Sequence, residues 1–408
     1  MSKHLYNKKF SIAHWDNTKE EDLYFECFKN SSQQWKNEIY DVYFGATFIN
    51  DEITYGNTMG VNANEAQYKN LLKIQDKYGV LISLTFNEMN RPIGLIKEKN
   101  TKEFISFIKK YYDDGVRSCT ISHTHLMRTG ALQSAFPDMD WKNTVNHKVT
   151  STQSFIDYAK LGYTTVQLDR EFNRNLSELK RVKPEADRLN VKTSLLIRET
   201  CMPECPFKVE HDCWQSGKEL KSTGKNYWDT VNFTCNRWRP FGRNFPKEHS
   251  KNIDEFEVIN PRIGTDVILH EREDWEDFAQ VADIFKLSGR LNIPRYNMDN
   301  KFIRGLIGRK KNNRTEPDVF IVDDFKTVYE NNLTPFHLWF FITRAMTDYP
   351  HNITDMDAVK KGLKNCFWNK KEAVLLSKVL KDCKNQCYRC HKCDDLFETK
   401  KVDSILEF

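Results

Sequence analysis

Two rhythms of apolar residues take turns along this chain. From residue 38 onward, short runs rich in β-branched and aromatic residues read as strands: EIYDVYFGATFI (38–49), VLISLTFNE (80–88), VRSCTISH (116–123), YTTVQLDRE (163–171) and VKTSLLI (191–197). Between them lie segments with helical spacing: ANEAQYKNLLKIQDKYG (63–79), TKEFISFIKKYYDDG (101–115), STQSFIDYAKLG (151–162) and LSELKRVKPEADRLN (176–190), the last despite Pro184. Ser151 or Thr152 caps the third. Helices closing on Gly79, Gly115 or Asn190 place a residue tolerant of left-handed backbone where a C-cap needs one, and each feeds a β-branched run. The stretch after residue 123 reads as a loop followed by KNTVNHKV (142–149).

Repeated βα units of this length predict a parallel sheet. Six or more in succession favour α/β architecture of the closed (β/α)8 TIM-like barrel type over a doubly wound sheet. Chemistry in a barrel sits at the C-terminal strand ends, which here carry Asn87, Glu88, His123, Asn146, Asp169, Arg170, Glu171, Arg198 and Glu199. The pattern loosens over a polar insertion at 236–262, then resumes with TDVILHE, EDWEDFAQVA and DIFKLSGR (283–290). From 301 the segments are mostly helical, among them TPFHLWFFITRAMTDY and KKEAVLLSKVLKD, and they end in a cysteine group. The expected organisation is an N-terminal extension (1–37), a barrel (38–300) with a metal-binding loop at 201–235, and a helical C-terminal region (301–408).

Composition narrows the class. With 408 residues, 39% hydrophobic and 29% charged, the chain suits a globular protein with a sizeable core. Its apolar runs, such as FHLWFFI, are far shorter than the roughly 20 residues of a membrane helix. The start, MSKHLYNKKFSIAHWD, has no secretory h-region, so a cytoplasmic location without membrane contact is expected. A net charge of +5 admits RNA or anionic metabolites without demanding them. The run GRKKNNR (308–314) is concentrated enough to notice, and a solvated loop is the reading favoured over RNA contact.

The eleven cysteines change the picture more. In a reducing compartment, clustered cysteines point to metal rather than disulfides. Cys201, Cys205, Cys213 and Cys235 are separated by 3, 7 and 21 residues, and four thiolates can hold a 4Fe-4S cluster or a zinc ion. Zinc fingers favour tight C-x2-C knuckles; this looser spacing suits a cluster wrapped by a loop at a barrel mouth. Cys27 or Cys119 can replace Cys235, and the competing reading is that one or two of the set are ordinary buried thiols. The second group, Cys383, Cys387, Cys390 and Cys393, is compact enough to hold a zinc ion or a second iron–sulfur cluster that staples the C-terminal region. Its C-x3-C-x2-C start matches radical-SAM spacing, but such motifs normally follow the first barrel strand.

The order of segments resembles the collagenase-like peptidase family (peptidase family U-32) over about residues 38 to 300. The matching pieces are DVYFG, GVLISLTFNEM, YYDDGVRSCTISH, VNHKVTSTQSFIDYAKLGYTTVQLDREF, LLIRETC and ADIFKLSGR. The tract from Thr144 to Phe172 and the ending Phe-Lys-Leu-Ser-Gly-Arg are the most specific. The resemblance implies a barrel with an iron–sulfur cluster held by four cysteines. It also implies either peptidase activity or oxygen-independent hydroxylation of RNA bases or small aromatic metabolites, with an electron donor or partner protein. One departure is visible: the first cysteine pair is already C-x3-C, without the Ser-Gly-Arg segment many members carry there.

Among the remaining polar residues, Arg170 and Glu171 end an otherwise apolar strand, where they suit an anion binder and a general acid or base. A salt bridge closing the rim is the competing reading for Glu171. Arg290 can clamp a carboxylate in two-pronged fashion, whereas Lys286 supplies a point charge. Their coincidence with the family motif favours Arg170, Lys286 and Arg290 as binders of an anionic small-molecule co-substrate. Asn146 and His123 are secondary candidates. No G-x-S-x-G, H-E-x-x-H or glycine-rich phosphate loop occurs, which counts against a serine or zinc hydrolase. A metal-stapled barrel that only binds RNA or a protein is the non-catalytic alternative.

Overall fold

A computed structural model of the chain describes residues 9–14, 36–37, 39–57, 62–197, 208–214, 277–287, 380–381, 383 and 386–390. Strand β1 (Lys9–Ala13) and strand β2 (Ile39–Gly45) pair in parallel. A small antiparallel hairpin follows, β3 (Thr47–Ile49) with β4 (Thr54–Gly56). The remaining strands are β5 (Leu81–Phe86), β6 (Ser118–Ile121), β7 (Asp140–Lys142), β8 (Thr165–Gln167), β9 (Lys192–Ile197) and β10 (Ile284–Leu287). β10 pairs in parallel with both β9 and β1, so eight parallel strands close into a barrel. This is the (β/α)8 class that the sequence predicts.

The closing strand β1 corrects one boundary. Residues 1–37 do not lie wholly outside the barrel, because Lys9–Ala13 is its first strand, with Phe10 and Ile12 buried. In consequence Lys192–Ile197 is the seventh barrel strand, and 198–283 joins the seventh to the eighth. Most of that connection, including Cys201, Cys205 and Cys235, lies outside the described residues, as do TDVILHE and the helical region from 301 to 379.

The outer helices form where sequence chemistry starts and stops them. α1 (Glu65–Tyr78) begins at a capping box, in which Asn64 and Gln67 each accept from the other's backbone N–H, and ends at Gly79 with φ 66°. α2 (Glu98–Asp113) packs Phe104 and Ile108 against the barrel. Two short helices, α3 (Thr124–Arg128) and α4 (Ala131–Ala135), precede β7. α5 (Thr152–Lys160) is capped by Ser151, and α6 (Leu176–Leu189) by Asn175. Pro184 is accommodated inside α6, as the sequence suggests. Between helices and barrel, Val42, Ile82, Leu84, Phe86, Cys119 and Val166 are completely buried. Each such aliphatic or aromatic side chain contributes about 1.5–3 kcal/mol through burial.

The lumen is chemically different. Barrel interiors are usually filled by branched aliphatic residues. Here Ser11, Ser83, Thr120, Lys142, Gln167 and Lys286 are among the side chains that enclose its pocket. Strands that are apolar outward and polar inward therefore alternate, although fully covered parallel strands usually read as continuous apolar runs. The N-terminal end of the lumen is tied by Asp140, which accepts from Tyr40 Oη (2.8 Å), Thr164 Oγ1 (2.8 Å) and Thr165 Oγ1 (2.7 Å). Just inside, the ammonium of Lys142 is ion-paired with Asp41, whose other oxygen accepts from Ser11 Oγ at 2.5 Å.

Candidate functional site

The C-terminal mouth of the barrel is assembled by the hairpin. Tyr55 on β4 is fully buried; its hydroxyl donates to Phe86 O (2.8 Å) and accepts from the N–H groups of Ser122 (3.0 Å) and His123 (3.2 Å). One phenol thus fixes the ends of β5 and β6 together. Gly56 N–H donates to Glu88 Oε2 at 3.0 Å, so this carboxylate is held at the same rim, 2% exposed.

After β7, the 3-10 turn Val145–His147 closes on Lys148 at φ 52°, a left-handed conformation that costs a lysine about 1–2 kcal/mol. The turn carries two rim residues. Asn146 Oδ1 accepts from the guanidinium of Arg170 at 3.0 Å. His147 Nε2 lies 2.8 Å from Ser122 O; a carbonyl only accepts, so Nε2 carries the proton and Nδ1 keeps a lone pair. Burial first, and the charge of Arg91 second, bring His147 down to about 3, so the ring is neutral at physiological pH. Among the described residues Nδ1 has no hydrogen-bond partner, and the ring stacks on Tyr158 at 4.9 Å.

Beyond β8, a 3-10 helix spans Arg170–Arg174. Arg170 is 6% exposed and Arg174 2%. Neither Nε nor Nη2 of Arg174 has a hydrogen-bond partner among the described residues. Arg91, in the loop after β5, likewise has a buried Nε without a hydrogen-bond partner among the described residues, where its Nη2 meets only Met89 Sδ, at 3.5 Å. Buried polar groups ordinarily find partners, since each orphan costs about 1–3 kcal/mol. The rim therefore offers guanidinium N–H groups with no ion-pair partner for Arg91 or Arg174 among the described residues.

The candidates from sequence divide accordingly. Arg170 and Asn146 come together by direct hydrogen bond. Glu171 lies on the same 3-10 helix. Lys286 is on β10 rather than at the rim: its amine donates to Gln167 Oε1 at 2.7 Å and sits 4.6 Å from the Tyr43 ring centroid, within the lumen. Arg290 lies outside the described residues. His123 is a structural cap: Nδ1 accepts from Leu126 N (3.2 Å) and Nε2 lies 3.1 Å from Pro92 O, so both ring nitrogens are engaged. Arg91, His147, Arg174 and Lys142 are additions the sequence reading does not single out.

Of the first cysteine set, only Cys213 is described, half-buried on helix α7 (Lys208–Trp214). Its carbonyl accepts from Asn90 Nδ2 at 3.4 Å, placing it beside the loop that carries Arg91. Cys119, the alternative ligand, is buried among the outward-facing core side chains of the barrel, and burial pushes its thiol well up. In the second group Cys383 is half-buried and Cys390 exposed, with Cys387 and Cys390 on one short helix, α8 (Cys387–Cys390); Cys393 lies outside the described residues. Just before it, Leu380 joins the core and Lys381 O accepts from Leu176 N at 2.9 Å. Cys119, Cys213, Cys383 and Cys390 form no disulfide, and among the described residues no three His, Cys, Asp or Glu side chains form a metal-holding group. No helix among the described residues is long and apolar enough to cross a membrane.

No protein-family model matches this chain, and no curated protein does. Among solved structures it is similar to the U32 peptidase Mk0906, at 10% identity and a TM-score of 0.43, covering 71% of this chain and 95% of that one. It is similar also to Eubacterium rectale Amy13B (9% identity, TM-score 0.34, 68% and 80% coverage). A mandelate racemase/muconate lactonizing enzyme from a marine actinobacterium matches at 11% identity and a TM-score of 0.29, with 50% of this chain and 51% of that chain covered.

Proposed function

We propose that this barrel is an enzyme whose C-terminal mouth binds an anionic small molecule. On this reading it is a U-32-like iron–sulfur protein that carries out an oxygen-independent hydroxylation or related transfer on an RNA base or small aromatic metabolite. The observation that carries the reading is the cationic rim. Arg91 and Arg174 bury guanidinium N–H groups without a carboxylate partner among the described residues, on the same rim as Arg170 with its Asn146 contact. Buried cations in that state favour an anionic ligand, and arginine matches carboxylates bidentately.

On this reading Cys201, Cys205, Cys213 and Cys235 would supply four thiolates, a donor set that suits a 4Fe-4S cluster, and such a cluster would contribute one-electron chemistry. Cys213 fits this role in one respect: its helix is hydrogen-bonded to the loop bearing Arg91, beside the same mouth. The protein's own groups then bind and orient. The arginines hold the anion, His147 Nδ1 accepts a proton-bearing group, and Glu88 and Tyr55 keep the rim rigid.

The test is anaerobic purification of the full chain, with iron, sulfide and zinc analysis and visible absorption. Bound iron and sulfide with a broad visible band, lost in Cys201→Ala and Cys205→Ala, are expected. A colourless, zinc-loaded chain overturns the iron–sulfur reading.

A further inference from the structure

Ser122 and His123, just beyond β6, organise one corner of the mouth. Ser122 Oγ donates to Glu88 O (2.5 Å) and His123 Nε2 lies 3.1 Å from Pro92 O, so residues 88–92 are pinned at both ends. Arg91 sits inside that pinned stretch. Ser122 O in turn accepts from His147 Nε2 at 2.8 Å, and the imidazole packs against Tyr158 (4.9 Å) and, edge-on, Tyr163 (6.4 Å). The charge of Arg91 acts on all three of these rings. Two groups of opposite hydrogen-bonding polarity are left over here. Arg91 Nε–H is a donor and His147 Nδ1 an acceptor; both are buried, neither has a partner among the described residues, and they do not bond each other.

We infer that the anion bound at this mouth is a hydroxy acid, with its carboxylate on the Arg91 guanidinium and its neighbouring hydroxyl donating to His147 Nδ1. The inference rests on the anion-binding reading of the rim and makes His147 the residue that selects among anions. A simple carboxylate or a phosphate dianion carries acceptors only, and against the Nδ1 lone pair it leaves a buried acceptor unsatisfied. A ligand that fills both vacancies needs a donor beside its negative charge.

The ring cannot adapt by changing its own protonation. Its Nε2 proton is committed to Ser122 O, and that peptide is held on its other side by Ser122 N–H on Tyr55 Oη (3.0 Å). Burial and then the charge of Arg91 keep the imidazole neutral, so Nδ1 stays an acceptor. The same arginine opposes an ammonium as the donor, because a second cation beside it is repelled. A hydroxyl donates without charge, and it is the group that suits both neighbours.

Malate, succinate and aspartate differ at one carbon, which carries a hydroxyl, a hydrogen or an ammonium. Each is titrated calorimetrically at neutral pH into the full chain and into His147→Gln, whose amide keeps the bond to Ser122 O but places no acceptor at the Nδ1 position. Wild type should bind one enantiomer of malate about tenfold more tightly than succinate, and aspartate no better than succinate. In His147→Gln the preference for malate should vanish while succinate affinity is kept. A merely structural histidine would change both affinities together. Should the variant fail to fold, the nitrogen NMR resonance of His147 Nδ1 in the wild type decides: it should move with malate and stay in place with succinate. Equal binding of malate and succinate, or tighter binding of aspartate, overturns the hydroxy-acid assignment and leaves the anion site standing. Binding of none of the three removes the anion-binding reading itself, and this inference with it.

Discussion

His147 makes a pH-dependent contribution to stability whose sign and size follow from its surroundings. In the folded chain it titrates at about 3, because burial and the nearby Arg91 outweigh the favourable contact with Ser122 O. Unfolded histidine titrates near 6.5. As the pH falls below that value the unfolded chain takes up a proton that the folded chain refuses, so stability is lost progressively. The slope is about 1.4 kcal/mol per pH unit, which gives a loss of about 2 kcal/mol between about pH 6.5 and about pH 5. His147→Gln is the perturbation that isolates the effect. A glutamine amide donates to Ser122 O as Nε2 does but cannot titrate. The stack on Tyr158 is lost, so the variant is somewhat less stable at every pH, but its pH slope should be shallower. Urea unfolding followed by circular dichroism, at about neutral pH and at about pH 5, measures both slopes. His123, which burial also lowers, contributes equally to both proteins and cancels. Parallel pH dependences in wild type and His147→Gln would refute the neutral, buried histidine.

Other perturbations test the parts of the fold that position the site. Asp41→Asn leaves the Lys142 ammonium buried without its carboxylate and should cost about 3–5 kcal/mol in denaturant unfolding, with Asp41→Leu/Lys142→Met recovering much of it. Tyr55→Phe strips the hydroxyl that joins the ends of β5 and β6; a loss of about 1–3 kcal/mol is expected, with faster hydrogen exchange at the Ser122 and His123 amides. Asn64→Ala removes half of the α1 capping box and should lower stability by about 1 kcal/mol, read as a small drop in Tm that leaves the mouth intact.

Much of the barrel was legible because its lumen is polar. In β2 the outward residues Val42 and Phe44 alternate with Asp41 and Tyr43, and in β5 Ile82 and Leu84 alternate with Ser83 and Thr85, so periodicity marked both strands. Two barrel strands escaped, besides the hairpin strand β4. β7 is only Asp-Trp-Lys, too short for any period to register, and β1 stands alone ahead of a long connection. Missing β7 hid Asp140 and Lys142, the residues that charge the lumen. At the rim, strand ends pointed to Arg170 and Asn146, which lie in direct contact at 3.0 Å. That His123 is a cap was not readable, since it depends on Pro92 O and Leu126 N. Arg91 and Arg174 look like ordinary loop arginines until tertiary packing buries them.

The lumen's composition argues that its charges serve something other than stability. Replacing a buried ion pair by well-packed apolar side chains is often neutral or stabilising by about 1–4 kcal/mol. Lys142 and Asp41 could in that sense be dispensed with, and Asp140 takes three hydroxyl donors and lies 3.9 Å from Lys142 merely to be tolerated. Lys286 brings a second amine close to Lys142. A fold selected for rigidity alone would fill this space with valine and isoleucine. The rim arginines raise the same question from the other end, because Arg91 and Arg174 bury N–H groups that the described residues do not satisfy. Lumen and rim thus carry buried cationic side chains at two levels of the same barrel, which packing alone does not favour.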